Sequence, residues 1–347
     1  MPKHVRIAGG PGERGAQLGE MLRGDIRATW SFYRDVAFGR PRFDLRECGE
    51  AYRAAIGSFR ADYVAEMDAI AAASGLEPWQ VAVLNARTEV MHRTTYRAGA
   101  DGGASVPGEC TAFYFPQSGQ LAQNWDWLDA LQALMVVVEI ERPDGHRILQ
   151  LTEPGIIGKI GLNDAGIGVC LNILSGRASP PAVPVHVLLR AVLDCRSIAE
   201  VRTVVHGAAF GTCSHMLVAD DRGRSVGLEL YGDTVDVATA DDGLVRHTNH
   251  YVATPRDQSG DPILPSSHAR WRRIGELLAE PAPQTLERAR SVLADRAGGA
   301  GSICVSWVPL GSLRIGTLCG IVLDLPGRRL HLSPGPPSEH AFETFAL

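Results

Sequence analysis

No two of the seven cysteines, at positions 48, 110, 170, 195, 213, 304 and 319, have the C-x-x-C spacing, and their number is odd. Neither a zinc site nor a disulfide framework is expected from such a set. Long apolar runs are missing as well. The longest, "ALMVVV" at 133–138, is far too short to cross a bilayer. The opening "MPKHVRIAGG" lacks the apolar stretch of a signal peptide. Clustered basic residues are scarce, and the net charge is −5, spread along the chain. That excludes the basic footprint of a nucleic-acid binder. The expectation is a soluble cytoplasmic protein with no nucleic-acid or membrane partner. What the chain has is a 45% hydrophobic composition against 21% charged residues, enough for a large core. No internal repeat or clear linker divides residues 1–347, so they are read as one domain.

One motif invites a cofactor. Gly10-x-Gly12-x-x-Gly15 follows the short apolar "HVRIA" and opens a helical pattern. In a dinucleotide-binding protein, such glycines bring a pyrophosphate onto the helix N-terminus. That reading, an NAD-dependent oxidoreductase, also requires a parallel strand directly after the helix. The segment that follows instead reads as loop and further helix. A glycine-rich turn is the better interpretation, and no cofactor is expected.

Apolar residues recur at three and four from Gly15 to about Arg93, which predicts helices. A small-residue loop, "RAGADGGASVPGE", fills positions 97–109. From Cys110 the period changes to two. Strands are predicted at "CTAFYF", "QLAQNWDW", "LMVVVEIE", "RILQLTE", "IGKIGL" and "GIGVCLNI". Two helices follow at about 184–195 and 197–206, then strands from Ser214 to His250. Two more helices are placed at 267–279 and 284–297. Last come strands at "SICVSWV", "GTLCGIVLDL" and "RRLHLSP". Hairpins imply antiparallel sheets, and blocks of helices imply an α+β fold with two packed sheets and helices outside.

Cys170 and Cys319 lie inside apolar strands, as buried cysteines do. Cys110 stands at the first position of its strand, directly after the small-residue loop. With a three-residue turn at Gln117–Gly119, Pro116 faces Gln120, Ala112 faces Asn124 and Cys110 faces Asp126. One face then carries Cys110, Asn124 and Asp126, and the other carries Phe113, Phe115, Trp125 and Trp127. A carboxylate alone raises a thiol's pKa, so this pair needs a base. Cutting the chain before Cys110 supplies one: the new α-amine, with a pKa of about 7.7–8.0 in a simple peptide, accepts the thiol proton. Asp126 then orients that amine.

These residues resemble the isopenicillin-N acyltransferase family of autoproteolytic cysteine N-terminal nucleophile (Ntn) hydrolases. The likeness covers nearly the whole chain, through "ERGAQLGEMLRGDI", "LNARTEV", "GECTAFYF", "AQNWDW", "HTNHY" and "TLCGIVLDL". It implies an αββα sandwich and self-cleavage between Glu109 and Cys110. The products would be an α chain of 1–109 and a β chain of 110–347 that stay together as a heterodimer. By the same resemblance Cys110 is the nucleophile, Asp126 its neighbouring carboxylate, and Asn249 an oxyanion donor. Arg314 would be an arginine supporting the nucleophile. Family members cut after glycine, whereas Glu109 stands here. His247 and His250 form H-x-x-H without a further ligand set, and are read as ordinary surface or core histidines. The expected activity is hydrolysis of a linear amide in a small, uncharged or amine-bearing N-acyl substrate, through a thioester. Two alternatives keep the fold: an acyl-CoA-dependent N-acyltransferase, and an unprocessed, non-catalytic binding protein.

Overall fold

The computed structural model describes residues 2–39, 41–98, 110–176, 179–238, 244–258, 264–310 and 312–347. Strand β1 (Lys3–Ala8) leads into helices α1 (Pro11–Met21), α2 (Arg23–Phe32), α3 (Leu45–Phe59), α4 (Ala61–Ser74), α5 (Pro78–Asn85) and α6 (Arg87–Ala98). Then come β2 (Cys110–Phe115), β3 (Gln120–Leu128), β4 (Val136–Glu141), β5 (Arg147–Thr152), β6 (Ile160–Asn163) and β7 (Ile167–Ile173). Helices α7 (Val185–Leu193) and α8 (Ile198–Gly207) precede β8 (Thr212–Asp220), β9 (Ser225–Gly232), β10 (Thr234–Ala238) and β11 (Arg246–His247). The chain closes with α9 (Leu264–Ala279), α10 (Leu286–Leu293), β12 (Val308–Leu310), β13 (Leu313–Asp324), β14 (Arg329–Ser333) and β15 (Glu343–Ala346). Among the described residues no helix is long and apolar enough to cross a membrane.

The strands form two sheets. One runs β1-β4-β5-β6-β7-β8-β9-β10; the other runs β11-β2-β3-β13-β14-β15, with β12 on β13. The two inner faces meet in a core that includes Cys110, Ala112, Trp125, Val137, Leu149 and Cys170, with Cys319, Ile321 and Leu323 from β13. The outer face of the first sheet, with Val136, Val138, Ile148, Val169 and Met216, packs on α1, α4, α7 and α8. The outer face of the second, with Phe113, Phe115 and Ala122, packs on α9 and α10. Strands such as "VVVEIE" therefore bury both faces, which is why they read as continuous apolar runs. The four layers are the expected αββα sandwich.

Four details differ from the sequence reading. Strand β1 pairs parallel to β4, so the first sheet is mixed. "SICVSWV" contributes to β12 only at its end, and β15 has no counterpart among the predicted strands. The glycine motif, by contrast, is the turn into a helix that was expected: Gly10 N–H donates to Glu13 Oε2 (2.6 Å) at the start of α1. The Glu13 carboxylate caps the helix start in a capping box. Gly15 lets α1 approach α4, since a Cβ there would lie 2.2 Å from Glu66 O.

The fourth difference is the β2–β3 register. Phe115 pairs with Gln120, Thr111 with Asn124, and Cys110 with Trp125, one residue away from the expected pairing. Pro116 belongs to the turn. Phe115 O accepts from Ser118 N (3.3 Å) and Gly119 N (2.8 Å), and Gly119 takes φ +73°. Proline's fixed φ suits the first corner of such a turn, and it has no N–H for a ladder. The slip exchanges faces. Trp125 and Trp127 join Cys110 on the inner face, and Asn124 and Asp126 turn to the outer one.

Candidate active site

Cys110 begins β2, and its side chain enters the layer between the sheets, 4% exposed. Gln123, from β3, spans that layer: it donates to Leu171 O, and its Oε1 accepts from Leu171 N (2.9 Å). This pair of bonds fixes β7 across from β2 and brings Asn172 to Cys110. Asn172 Nδ2 donates to Cys110 O (3.2 Å), while its Oδ1 accepts from His215 Nδ1 (3.1 Å). His215 stacks on His247, with ring centroids 3.5 Å apart. Burial holds the His215 pKa well below its ordinary value, so this ring is neutral.

The Cys110 main chain is held from the other side too. Cys110 N donates to Asn249 Oδ1 (2.8 Å), and Asn249 Nδ2 donates to Ile173 O (2.9 Å). Arg270, on α9 and fully buried, donates to Cys110 O (2.7 Å), Thr111 Oγ1 (3.0 Å) and Asn249 Oδ1 (3.0 Å). These acceptors are all neutral, so the guanidinium charge is directed at the strand end.

Burial pushes the Cys110 thiol up to about 12, and the Asp126 charge adds to the rise. The Asp126 backbone N–H, Arg270 and the Gln123 side chain oppose it. With Cys110 N as a peptide amide, the thiol is therefore protonated at neutral pH. Asp126 is fully buried, and its Oδ1 accepts from Thr317 Oγ1 (2.6 Å). The thiol opens on a small pocket lined by Cys110, Gln123, Trp125, Asp126, Arg87 and Lys159, among others.

The structure thus joins Cys110 to Asn249 by a direct hydrogen bond. Asp126 borders the same pocket, but its position on β3 belongs to the opposite face of the sheet. Arg314 is elsewhere. It is exposed and bonds Asp129 (2.8 Å); the cation that hydrogen-bonds Cys110 among the described residues is Arg270. Glu109 and the loop before it lie outside the described residues. His247 and His250 are both core residues. His247 bonds Glu229 Oε1 (2.8 Å) and His250 bonds Ser267 Oγ (2.8 Å).

Sequence reasoning missed Arg270 and Asn172. A signal for the first existed: Ser267, Arg270, Ile274 and Leu277 form the buried stripe of α9. An arginine at a stripe position is rarely buried without a task. Asn172 is the polar residue inside the apolar "GVCLNI".

The model of the acyl-coenzyme A:6-aminopenicillanic acid acyl-transferase family matches residues 116–339. The chain is 28% identical over 353 residues to the acyl-coenzyme A:6-aminopenicillanic-acid-acyltransferase 40 kDa form of Emericella nidulans, covering 99% of this chain and 95% of that one. Among solved structures, a mutant of the conjugated bile acid hydrolase from Clostridium perfringens is similar with 10% identity and a TM-score of 0.41, over 70% of this chain and 97% of that one. Penicillin V acylase from Agrobacterium tumefaciens is similar with 15% identity and a TM-score of 0.33, over 65% and 82%. On the extent of the family match, this chain belongs to the acyl-coenzyme A:6-aminopenicillanic acid acyl-transferase family.

Proposed function

We propose that the chain is a self-cleaving N-terminal-cysteine amidohydrolase acting on a small N-acyl substrate. One observation carries this reading: both main-chain groups of Cys110 are held by side chains, Asn249 on its N–H and Arg270 and Asn172 on its C=O. A strand end is ordinarily satisfied by backbone or water. Here a buried thiol is fixed by three polar residues from three separate segments.

In self-cleavage the Cys110 sulfur attacks the Glu109 carbonyl carbon. The C–N bond breaks, a thioester forms, and the nitrogen takes the thiol proton to become an amine. Water then hydrolyses the thioester, giving the Glu109 carboxylate and a free thiol. In turnover the new α-amine accepts the thiol proton, and the sulfur attacks the substrate's acyl carbon. The leaving amine departs with that proton, and water releases the acid. Asp126 raises the pKa of both groups: it makes the α-amine a stronger base for the thiol proton, as it also disfavours the free thiolate. Asn249, with a backbone N–H, stabilises the oxyanion. Asn249→Ala is expected to lower kcat by roughly 10²–10³-fold, the usual cost of one oxyanion donor; wild-type kcat would remove it from this role.

A second reading, acyl transfer, is supported by the names of the family and of the fungal relative. Coenzyme A brings phosphates, which favour basic clusters or helix N-termini. In each of two candidate basic pairs, Arg272-Arg273 and Arg328-Arg329, one arginine is engaged internally, Arg273 with Asp295 and Arg328 with Asp221. The glycine-rich helix start already binds Glu13. Hydrolysis is therefore preferred. The test is the fate of the thioester: supply an N-acyl amine, then acyl-CoA with an acceptor amine, and quantify both products. Free acid as the main product is expected. New amide formed faster than acid, and only with acyl-CoA present, would establish acyl transfer instead.

A further inference from the structure

Asn249, which accepts from Cys110 N, lies in a segment with almost no ladder of its own. Strand β11 pairs only Arg246 with Phe113 and His247 with Ala112. From Thr248 to α9 the chain belongs to neither helix nor strand among the described residues. One buried side chain brackets the asparagine. Glu229, on β9, accepts at Oε1 from His247 Nε2 (2.8 Å) and Val252 N (2.8 Å), and at Oε2 from Ala253 N (3.1 Å). Its bonds thus reach the chain on both sides of Asn249. Ser267 Oγ and Arg270 also touch Asn249, from α9. They hold the residue itself, whereas Glu229 holds the chain that carries it.

The same carboxylate stands behind the other arm of the site. Strands β8 and β9 pair His215 directly with Glu229, so both side chains share one face of the sheet. The His247 ring meets both of them: it stacks on His215, with centroids 3.5 Å apart, and bonds Glu229. A Cβ at Gly227 would lie 2.8 Å from His215 Nε2, so glycine there leaves room for that ring. His215 Nδ1 donates to Asn172 Oδ1 (3.1 Å). Asn172 Nδ2 then donates to Cys110 O (3.2 Å) and reaches His247 O at 3.5 Å. The contacts on both main-chain groups of Cys110 trace back to one carboxylate.

We propose that Glu229 is a positioning residue of the Cys110 site, setting Asn249 on the Cys110 N–H and, through His247 and His215, setting Asn172 on the Cys110 carbonyl. This rests on the self-cleaving amidohydrolase reading and adds to it the residue that fixes the geometry of attack. A reacting group displaced by about 1 Å can cost on the order of a hundredfold in rate.

The test follows self-cleavage by intact mass on folded protein. Glu229→Met fills similar space and removes all three bonds. Glu229→Gln keeps one acceptor oxygen for His247 and Val252, and turns an NH2 toward Ala253 N–H. Cleavage is expected to slow by about a hundredfold in Glu229→Met, so that full-length chain accumulates, and by about tenfold or less in Glu229→Gln. A side chain that only filled space would leave the two variants alike. His247→Phe keeps a ring over His215 and leaves Glu229 on two backbone N–H groups, so it serves where Glu229→Met does not fold; a slowing of about tenfold is expected. Amide exchange separates this inference from the one beneath it. In the Cys110→Ala chain, adding Glu229→Met, or His247→Phe in its place, should speed exchange by about tenfold or more at 110–112 and 247–253, and leave β5 and β13 unchanged. That local rise, together with a wild-type chain that never cleaves, would support the positioning role and sink the self-cleaving reading. Wild-type cleavage rates in Glu229→Met and His247→Phe, equal slowing in Glu229→Met and Glu229→Gln, or exchange that rises evenly through both sheets would overturn the positioning role.

Discussion

Purified wild-type protein is expected to give two masses, for residues 1–109 and 110–347, and Cys110→Ala one mass for the whole chain. In the proposed self-cleavage the sulfur is the attacking atom, so its removal leaves no route for the acyl shift. Amide hydrolysis should vanish with it, since the same sulfur carries the acyl group. The fold should persist: alanine occupies less space than cysteine, and the backbone bonds to Asn249, Arg270 and Asn172 do not involve the side chain. Cys110→Ser separates the two roles, because a hydroxyl is a poorer nucleophile that still fits. A wild-type protein that stays in one piece and nonetheless hydrolyses amides would end the proposed mechanism.

Arg270→Met is expected to lower activity by roughly 10³-fold, a loss of about 4 kcal/mol of transition-state stabilisation. The guanidinium touches Cys110 O, Thr111 and Asn249 at once, so its loss releases both the proposed nucleophile and the proposed oxyanion donor. It also removes the cation that lowers the thiol pKa. Its hydrogen-bond partners are neutral, so no buried anion is left stranded, and the melting transition should fall by only the cost of a few unmade hydrogen bonds. Arg270→Lys should not restore the rate, because a single ammonium cannot reproduce the planar fork. The informative readout is the pH profile of kcat/KM: its acidic limb should move to higher pH as the thiolate is destabilised. A large rate loss with an unmoved profile would make Arg270 purely structural, and near-wild-type rates would remove it from the site.

The sequence alone determined the αββα layering, because the change from a helical period to a period of two at Cys110, and the blocks of helices, are local patterns of side-chain burial. It also determined that Cys110 is singular, at a strand start after a small-residue loop. The pairing of Cys110 with Trp125 was decided by the turn, where Pro116 counts as a corner rather than a strand residue, and a one-residue difference in that count exchanges every face. The site's cation was decided by tertiary packing: Arg270 lies 160 residues along the chain from Cys110, and reaches it only because the helix layer closes over the sheet. The same holds for Asn172, which arrives from the other sheet, and for Arg87 and Lys159, which share Glu153 across 66 and 6 residues. Periodicity records which face of an element is buried; it holds no information about which distant charge that face meets.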